Sequence, residues 1–338
     1  MYLEELSYEL PSSFIAQIPA ARRDTCRLLV LKRKTAEVIH AQFSEIGKYL
    51  SPPQEYLLVL NDSRVFKARL FAQTDKGKLE VFIVEKVGSR RFEALLRPQR
   101  RIRNNLILVF RDGTRAKVVN STNNLIEFEK EMGWEDFERV GTMPLPPYIK
   151  REVDKNDEVC YQTVYSKKPG SLAASTAGLH FSPSLLRNLR EEGLETVFLT
   201  LHISYGTFRP IRSEILEKHP MLAEYFYLSP LAAEKINEAR RRGKRVVAVG
   251  TSAVRALESS VDFSGKVVPF EGFTELFIYP GYKFKVVEGM VTNFHLPCST
   301  PLALVSALAG RKIILSAYQE AIKADYRFYS YGDAMLIL

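Results

Sequence analysis

Apolar positions change their period twice along this chain. Between about residues 66 and 130 they alternate with polar ones, in KARLFAQ, KLEVFIVEKV, RFEALLR, LILVF, RAKVVN and NLIEFEK. DKG, GSR, RDG and STNN separate these segments. A period of two interrupted by turn residues predicts hairpins, and no helical pattern intervenes. The stretch therefore reads as an all-β module, a small barrel or an open sheet. Before it, Leu28 to Leu31 and Tyr56 to Leu60 are continuous apolar runs, hence buried strands, with a short helix over 41–50 ended by Ser51-Pro52-Pro53. A proline-rich return, GTMPLPPYIKR over 141–151, leads into a different pattern. Helix 183–192, strand 195–203, helix 230–242, strand 245–249 and a helix after Gly250 alternate. Strand 273–279, a helix opened by Pro301, a tail helix to about 325 and a last apolar strand complete the chain. Such alternation predicts an α/β fold: a mostly parallel mixed sheet with helices, plus an inserted all-β, barrel-like domain. The expected boundaries are 1–65 and 150–338 for a discontinuous α/β domain and 66–149 for the insert.

Three loops share one design. SLAASTAGLHF (171–181), Gly250-Thr251-Ser252 and TNFHLPCST (292–300) are rich in small and hydroxyl residues, and each feeds a helix. Ser182-Pro183 and Ser229-Pro230 carry helix-start signals, Ser at the cap and Pro in the first turn, and Pro301 opens the helix after the third loop. Small residues at a helix N-terminus admit a ligand to the backbone and aim unpaired N–H groups at negative charge. In an α/β sheet ligands belong beyond the carboxyl ends of the strands, so the three loops are expected to converge on one pocket. That pocket would offer hydroxyls, amides and histidines but few carboxylates. It suits a ligand with hydroxyls, a carboxylate and a purine better than a divalent metal, which wants clustered carboxylate oxygens.

Charge adds a partner. Lys and Arg number 48 against 39 Asp and Glu, a formal net charge of +9, with an isoelectric point near 9.3. That balance suggests a polyanion, nucleic acid before a membrane surface. Arg97, Arg100, Arg101 and Arg103 cluster between two strands of the β module, as phosphate contacts or as a solvated loop. Asp62 and Arg64, after the strand ending at Leu60, either cap a turn or grip a ligand. Three distant cysteines, Cys26, Cys160 and Cys298, show no CxxC, which fits a reducing cytoplasm. The N-terminus is not expected to be a signal peptide, and no run of about 18 apolar residues predicts a membrane span. GxGxxG, GxxxxGK[ST] and GxSxG are absent. Candidate acid/base groups are His180, His202, His219, His295, Glu224, Glu258 and Asp333. The residues alone predict an α/β enzyme with an inserted β module, acting on a nucleoside-like ligand and touching nucleic acid.

Eight segments in order carry a resemblance: PSSFIAQIPAARRDTCRLLVL, VLNDSRVFKARL, GTMPLPPYIKR, YQTVYSKKPGSLAASTAGLHF, LHISYGTFRPI, VVAVGTSAVRALES, TNFHLPCSTPLALVSALAG and YRFYSYGDAMLIL. Together they resemble the S-adenosylmethionine:tRNA ribosyltransferase-isomerase family of queuosine biosynthesis, over the whole chain. The resemblance implies an enzyme that takes the ribosyl group, not the methyl group, from S-adenosylmethionine. The acceptor would be 7-aminomethyl-7-deazaguanine at the wobble position of tRNAs with GUN anticodons. The products would be epoxyqueuosine-tRNA, adenine and methionine. It also implies a cytoplasmic monomer with no metal and no cofactor beyond S-adenosylmethionine as co-substrate. His180 and His295 become the first candidates for proton transfer. Ser175, Thr176, Gly178, Gly250, Thr251, Ser252, Arg255, Asn293, Ser299 and Thr300 become candidates for binding S-adenosylmethionine. Asn61, Asp62, Arg64, the four insert arginines, Phe208, Tyr331 and Asp333 become candidates for contact with tRNA or its modified base, with Phe294 a further stacking candidate. Three departures stand out. Ser175 replaces a usual proline, Leu222 stands where the family carries a second histidine in HPMLAE, and LHISYGTF has Ser204 for a glycine. Two other functions fit parts of the sequence: an S-adenosylmethionine-dependent tRNA methyltransferase, and a non-catalytic tRNA-binding protein.

Overall fold

The computed structural model describes residues 1–208 and 211–338, without the side chains of Thr207 and Phe208. The candidate Phe208 side chain thus lies outside the described residues. The strands of the α/β body are β1 (Arg27–Lys32), β2 (Glu37–Gln42), β3 (Tyr56–Asn61) and β4 (Ser63–Val65). The insert follows as β5 (Arg69–Thr74), β6 (Gly77–Lys86), β7 (Arg91–Arg97), β8 (Ile107–Phe110), β9 (Arg115–Asn120) and β10 (Leu125–Phe128). The body resumes with β11 (Lys168–Ser171), β12 (Glu195–Leu201), β13 (Glu224–Leu228), β14 (Arg245–Val249), β15 (Phe270–Thr274), β16 (Gly289–Asn293) and β17 (Ala334–Ile337).

The insert closes into a six-stranded barrel in the order β10-β7-β6-β5-β8-β9. Every pair in it is antiparallel. Its period-two pattern is the cause. Leu70, Ala72, Val81, Ile83, Ala94, Leu96, Leu108, Val118 and Ile126 are buried in its core, while most of their strand neighbours are wholly or partly exposed; Phe82, also buried, packs against Tyr205. Helix Trp134–Val140 caps it, with Phe137 packed edge-on against Phe66, Phe92 and Phe128. That helix lies between the strands read from sequence to about residue 130 and the return over 141–151, where the sequence pattern assigns no element.

Nine strands form the main sheet, in the order β15-β13-β12-β3-β14-β16-β17-β1-β2. The pairs β12–β3, β3–β14, β14–β16 and β17–β1 are parallel. The pairs β15–β13, β13–β12, β16–β17 and β1–β2 are antiparallel. The sheet is therefore evenly mixed, which corrects the expectation of a mostly parallel one. The central strands β3, β14, β16 and β17 are buried along almost their whole length, because helices or loops cover both faces. Helices Pro183–Glu191, Pro230–Arg241, Thr251–Ser259, Thr300–Ala309 and Arg311–Lys323 supply that cover. Each aliphatic side chain fully buried beneath them contributes roughly 1.5–3 kcal/mol. Among the described residues no single helix is long and apolar enough to cross a membrane.

Candidate active site

The parallel strands β3, β12, β14 and β16 end on one side of the sheet, and their loops build the site. After β14 the chain turns at Gly250, with φ +88° and ψ 154°, directly into helix Thr251–Ser259. A Cβ at Gly250 would stand 2.8 Å from Ser175 Oγ. Glycine thus lets the second loop approach the first. Ser175 Oγ and Ser252 Oγ are 3.5 Å apart, and Asn61 at the end of β3 donates to Ser252 Oγ at 3.1 Å. After β16, Ser299 caps helix Thr300–Ala309 by accepting from the Leu302 N–H at 3.3 Å.

The three loops enclose a cavity of about 360 Å³. Ser175, Thr176, Gly250, Thr251, Ser252, Asn293, His295 and Ser299 line it, with Tyr148, Tyr161, Ile203, Phe294 and Tyr329 as its apolar walls. No carboxylate lines it among the described residues. His295 Nε2 lies 2.7 Å from Thr292 Oγ1, the His295 backbone N–H donates to Tyr318 Oη at 3.1 Å, and the Tyr8 hydroxyl donates to the His295 carbonyl. Burial pushes the His295 imidazole down to about 3, so the ring is neutral at pH 7. The size, hydroxyl lining and aromatic walls suit a nucleoside with a polar tail.

A small void lined by Thr251, Ser252, Arg255, Met221, Glu224 and Thr300 lies next to the cavity. Beyond it is a groove of about 660 Å³ between the barrel and the α/β body. Leu95, Leu96, Arg97, Gln99 and Asn124 line its barrel side, and Ser204, Tyr205, Arg212, His219 and Leu222 the other.

The model of queuosine biosynthesis proteins matches residues 3–337. This chain belongs to the queuosine biosynthesis protein family. It is 46% identical over 345 residues, covering 100% of both chains, to an S-adenosylmethionine:tRNA ribosyltransferase-isomerase of Desulforamulus reducens. The same figures hold for the protein of that name from Halothermothrix orenii. Among solved structures it resembles the S-adenosylmethionine tRNA ribosyltransferase of Thermotoga maritima, with TM-score 0.56, 34% identity and coverage of 99% of this chain and 100% of that one.

Within this member of the queuosine biosynthesis family, several candidate residues stand elsewhere than the sequence suggested. His180 does not line the cavity. It lies behind Asn293, with Nδ1 3.1 Å from Cys26 Sγ and Nε2 3.0 Å from Asn293 Nδ2, and it borders a second hollow on the far side. Gly178 is a packing residue: a Cβ there would collide with the Tyr165 hydroxyl. Arg255 faces the small void, paired with Glu224 and donating to the Leu276 carbonyl at 2.9 Å. Glu224 also accepts from the Ser204 N–H at 2.8 Å. Both charges of this buried pair are therefore satisfied within the protein.

Glu258 is not an acid/base group of the site. Its carboxylate accepts from the backbone N–H groups of Lys285 (2.9 Å), Val286 (3.0 Å) and Val287 (2.9 Å), and from the Tyr282 hydroxyl (3.2 Å). Asp333 is likewise structural, accepting from the backbone of Arg27 and Arg327. Tyr331 is buried and donates to Asp157 at 2.7 Å, so its ring is not a free stacking platform. Phe294 is also fully buried, packed against Tyr318, Tyr326 and Phe328. Asn61 binds the Leu201 backbone through both ends of its amide, and Asp62 accepts from the Thr200 hydroxyl at 2.6 Å. His202 meets Ser63 Oγ at 2.8 Å and stacks on Tyr225, outside the cavity. His219 and Thr300 line the groove. Arg64 is exposed on β4. Arg97 lines the groove, Arg101 donates to the Lys78 carbonyl at 2.7 Å, and Arg103 pairs with Asp75 at 2.6 Å. Exposed Arg100 shares the short turn Gln99–Arg101 with Arg101. Leu222 is half-exposed in the groove and packs over Gly206, where a Cβ would meet it at 2.7 Å. Sequence reasoning missed the tyrosine walls, since Tyr148 and Tyr329 lie in irregular segments where no period marks an inward face.

Proposed function

We propose that this protein is an S-adenosylmethionine:tRNA ribosyltransferase-isomerase. It transfers the ribosyl group of S-adenosylmethionine to 7-aminomethyl-7-deazaguanine at the tRNA wobble position and isomerises it, giving epoxyqueuosine-tRNA, adenine and methionine. The observation that carries this reading is the convergence of three hydroxyl-rich loops on one aromatic-walled cavity, separated by a small void from a groove beside the barrel rim that carries Arg97. S-adenosylmethionine occupies the cavity as co-substrate. The free N–H groups at the start of helix Thr251–Ser259 take its carboxylate. No metal has a part in the scheme.

The sulfonium acidifies the neighbouring 5′-carbon, and a base must take the proton released there. His295 is the imidazole that lines the cavity, neutral and held at Nε2 by Thr292. It is the group assigned to that proton. Adenine departs more readily when protonated, and epoxide closure needs a further proton removed. The RNA lies along the groove, with Arg97, Arg100 and Arg212 meeting its phosphates. The protein works in the cytoplasm as a monomer on tRNAs with GUN anticodons.

The test uses S-adenosylmethionine labelled either in the ribose or in the methyl group, with an anticodon stem-loop carrying the aminomethyl-deazaguanine. Ribose label on the RNA with free adenine is the expected result. Methyl label on the RNA would instead establish a methyltransferase. RNA binding with neither label would leave a binding protein.

A further inference from the structure

The back wall of the cavity contains an amide whose direction is decided by its neighbours. Asn293 ends β16, is 2% exposed and lines the cavity. Its Nδ2 donates to the Tyr329 carbonyl oxygen at 3.1 Å and lies 3.0 Å from His180 Nε2. A carbonyl oxygen only accepts, so the NH2 end of the amide must face Tyr329. His180 Nε2 then presents its lone pair, and the imidazole proton sits on Nδ1, 3.1 Å from Cys26 Sγ. Burial, reinforced by Arg327 and Arg23, pushes His180 down to about 3 and keeps the ring in this neutral form. Tyr329 has φ +74°, an uncommon conformation for a residue with a side chain. Its N–H donates to the Phe294 carbonyl at 3.1 Å, and its own carbonyl also accepts from Gly332 at 2.9 Å, so this carbonyl is pinned from both directions. Both hydrogens of the Asn293 amide are thereby used by the protein. Its Oδ1 is buried and has no partner. A buried acceptor left without a donor is destabilising, and a ligand that supplies the donor removes that cost.

We propose that Asn293 Oδ1 is an obligatory hydrogen-bond acceptor for the sulfonium nucleoside, and that His180 is a positioning residue that fixes its direction. The inference rests on the functional reading above. His180 touches no reacting atom in this scheme; it acts by leaving Asn293 no way to present an N–H. Two kinds of donor on the co-substrate fit the acceptor, the 6-amino group of adenine and the ribose hydroxyls. An analogue with an acceptor or nothing at the matching position faces an unpaired oxygen and is rejected.

Titration calorimetry on the full chain, without RNA, separates the outcomes. The ligands are S-adenosylmethionine, its 6-oxo analogue, and its 2′-deoxy and 3′-deoxy analogues. At least one analogue is expected to bind wild-type protein about tenfold or more weakly. Loss with the 6-oxo compound assigns the amino group, and loss with a deoxy compound assigns the sugar. In Asn293→Ala the penalty disappears, with every ligand bound about equally weakly. His180→Leu weakens S-adenosylmethionine binding severalfold and shrinks the same penalty, while His180→Gln, whose amide oxygen can accept from Asn293, restores both. A merely structural role for His180 would not move discrimination between analogues. Analogues all bound within twofold of S-adenosylmethionine by wild-type protein, a measurement that needs no variant to fold, overturn the inference. So does a penalty that persists in Asn293→Ala, and unchanged discrimination in His180→Leu overturns the positioning role. Absence of S-adenosylmethionine binding by wild-type protein overturns the functional reading itself.

Discussion

Replacing Gly250 by alanine probes how the first two loops close on each other. The substitution has two separable costs. The backbone at φ +88° and ψ 154° lies close to a region that glycine alone populates freely, and holding an L-residue there costs about 1–3 kcal/mol. The new Cβ would also stand 2.8 Å from Ser175 Oγ, closer than real Cβ contacts allow, whereas Ser252 Oγ at 3.7 Å and Ala177 Cβ at 3.8 Å are ordinary neighbours. The Ser175 contact adds about 1 kcal/mol, so Gly250→Ala is expected to lose about 2–4 kcal/mol. Ser175→Ala removes the crowded oxygen. The double variant should regain the contact part and keep the backbone part, a coupling of about 1 kcal/mol. Guanidinium unfolding of the four proteins measures this, and titration with S-adenosylmethionine measures the site. Affinity should fall about tenfold in Gly250→Ala, because the N–H groups of Thr251 and Ser252 move with the turn. Unchanged stability in Gly250→Ala, or strictly additive effects in the double variant, would refute the packing argument.

Acid should weaken the fold earlier than carboxylate titration alone would dictate. His180 is buried and His295 half-buried in the cavity wall, and desolvation holds both at folded pKa values of about 3, below the unfolded value near 6.5. As pH falls below 6.5 the unfolded chain takes up protons that the folded one refuses, so stability drops, by about 2 kcal/mol per ring between pH 7 and pH 5; a flat unfolding midpoint over that range contradicts the burial. Glu258→Gln should keep turnover while costing about 1–2 kcal/mol, and Glu258→Ala should cost about 3–5 kcal/mol by stranding three backbone N–H groups. Lost turnover at intact stability in Glu258→Gln would restore it as an acid/base residue. Arg100→Ala should weaken RNA binding and lower the slope of log affinity against log salt by about one, measured by fluorescence anisotropy; an unchanged slope removes Arg100 from the interface.

Local pattern determined a good deal. Period-two alternation required hairpins in the insert, because any other register would turn Leu70, Val81 and Leu108 outward. Ser-Pro pairs marked the starts of helices Pro183–Glu191 and Pro230–Arg241, and the three hydroxyl-rich loops do meet at one cavity, though its walls are largely apolar. Periodicity reports which way a residue faces, and strand pairing is a contact between distant segments. The sequence alone therefore could not say that the insert closes into a barrel or that half the pairs in the main sheet are antiparallel. β16 was hidden because Gly289–Asn293 is short and fully buried, with no alternation to display.

The site divides in the same way. Its membership was largely legible, since small and hydroxyl residues at helix starts are a local signal. The part each residue plays was not. His180 and His295 look alike along the chain, yet one faces the cavity and the other stands behind Asn293 with Cys26. Glu258 resembles any helical glutamate until the backbone of Lys285 to Val287 folds over it. A side chain's chemistry depends on which donors, acceptors and charges surround it. Those neighbours come from segments tens to hundreds of residues away, and only the packed tertiary structure brings them together.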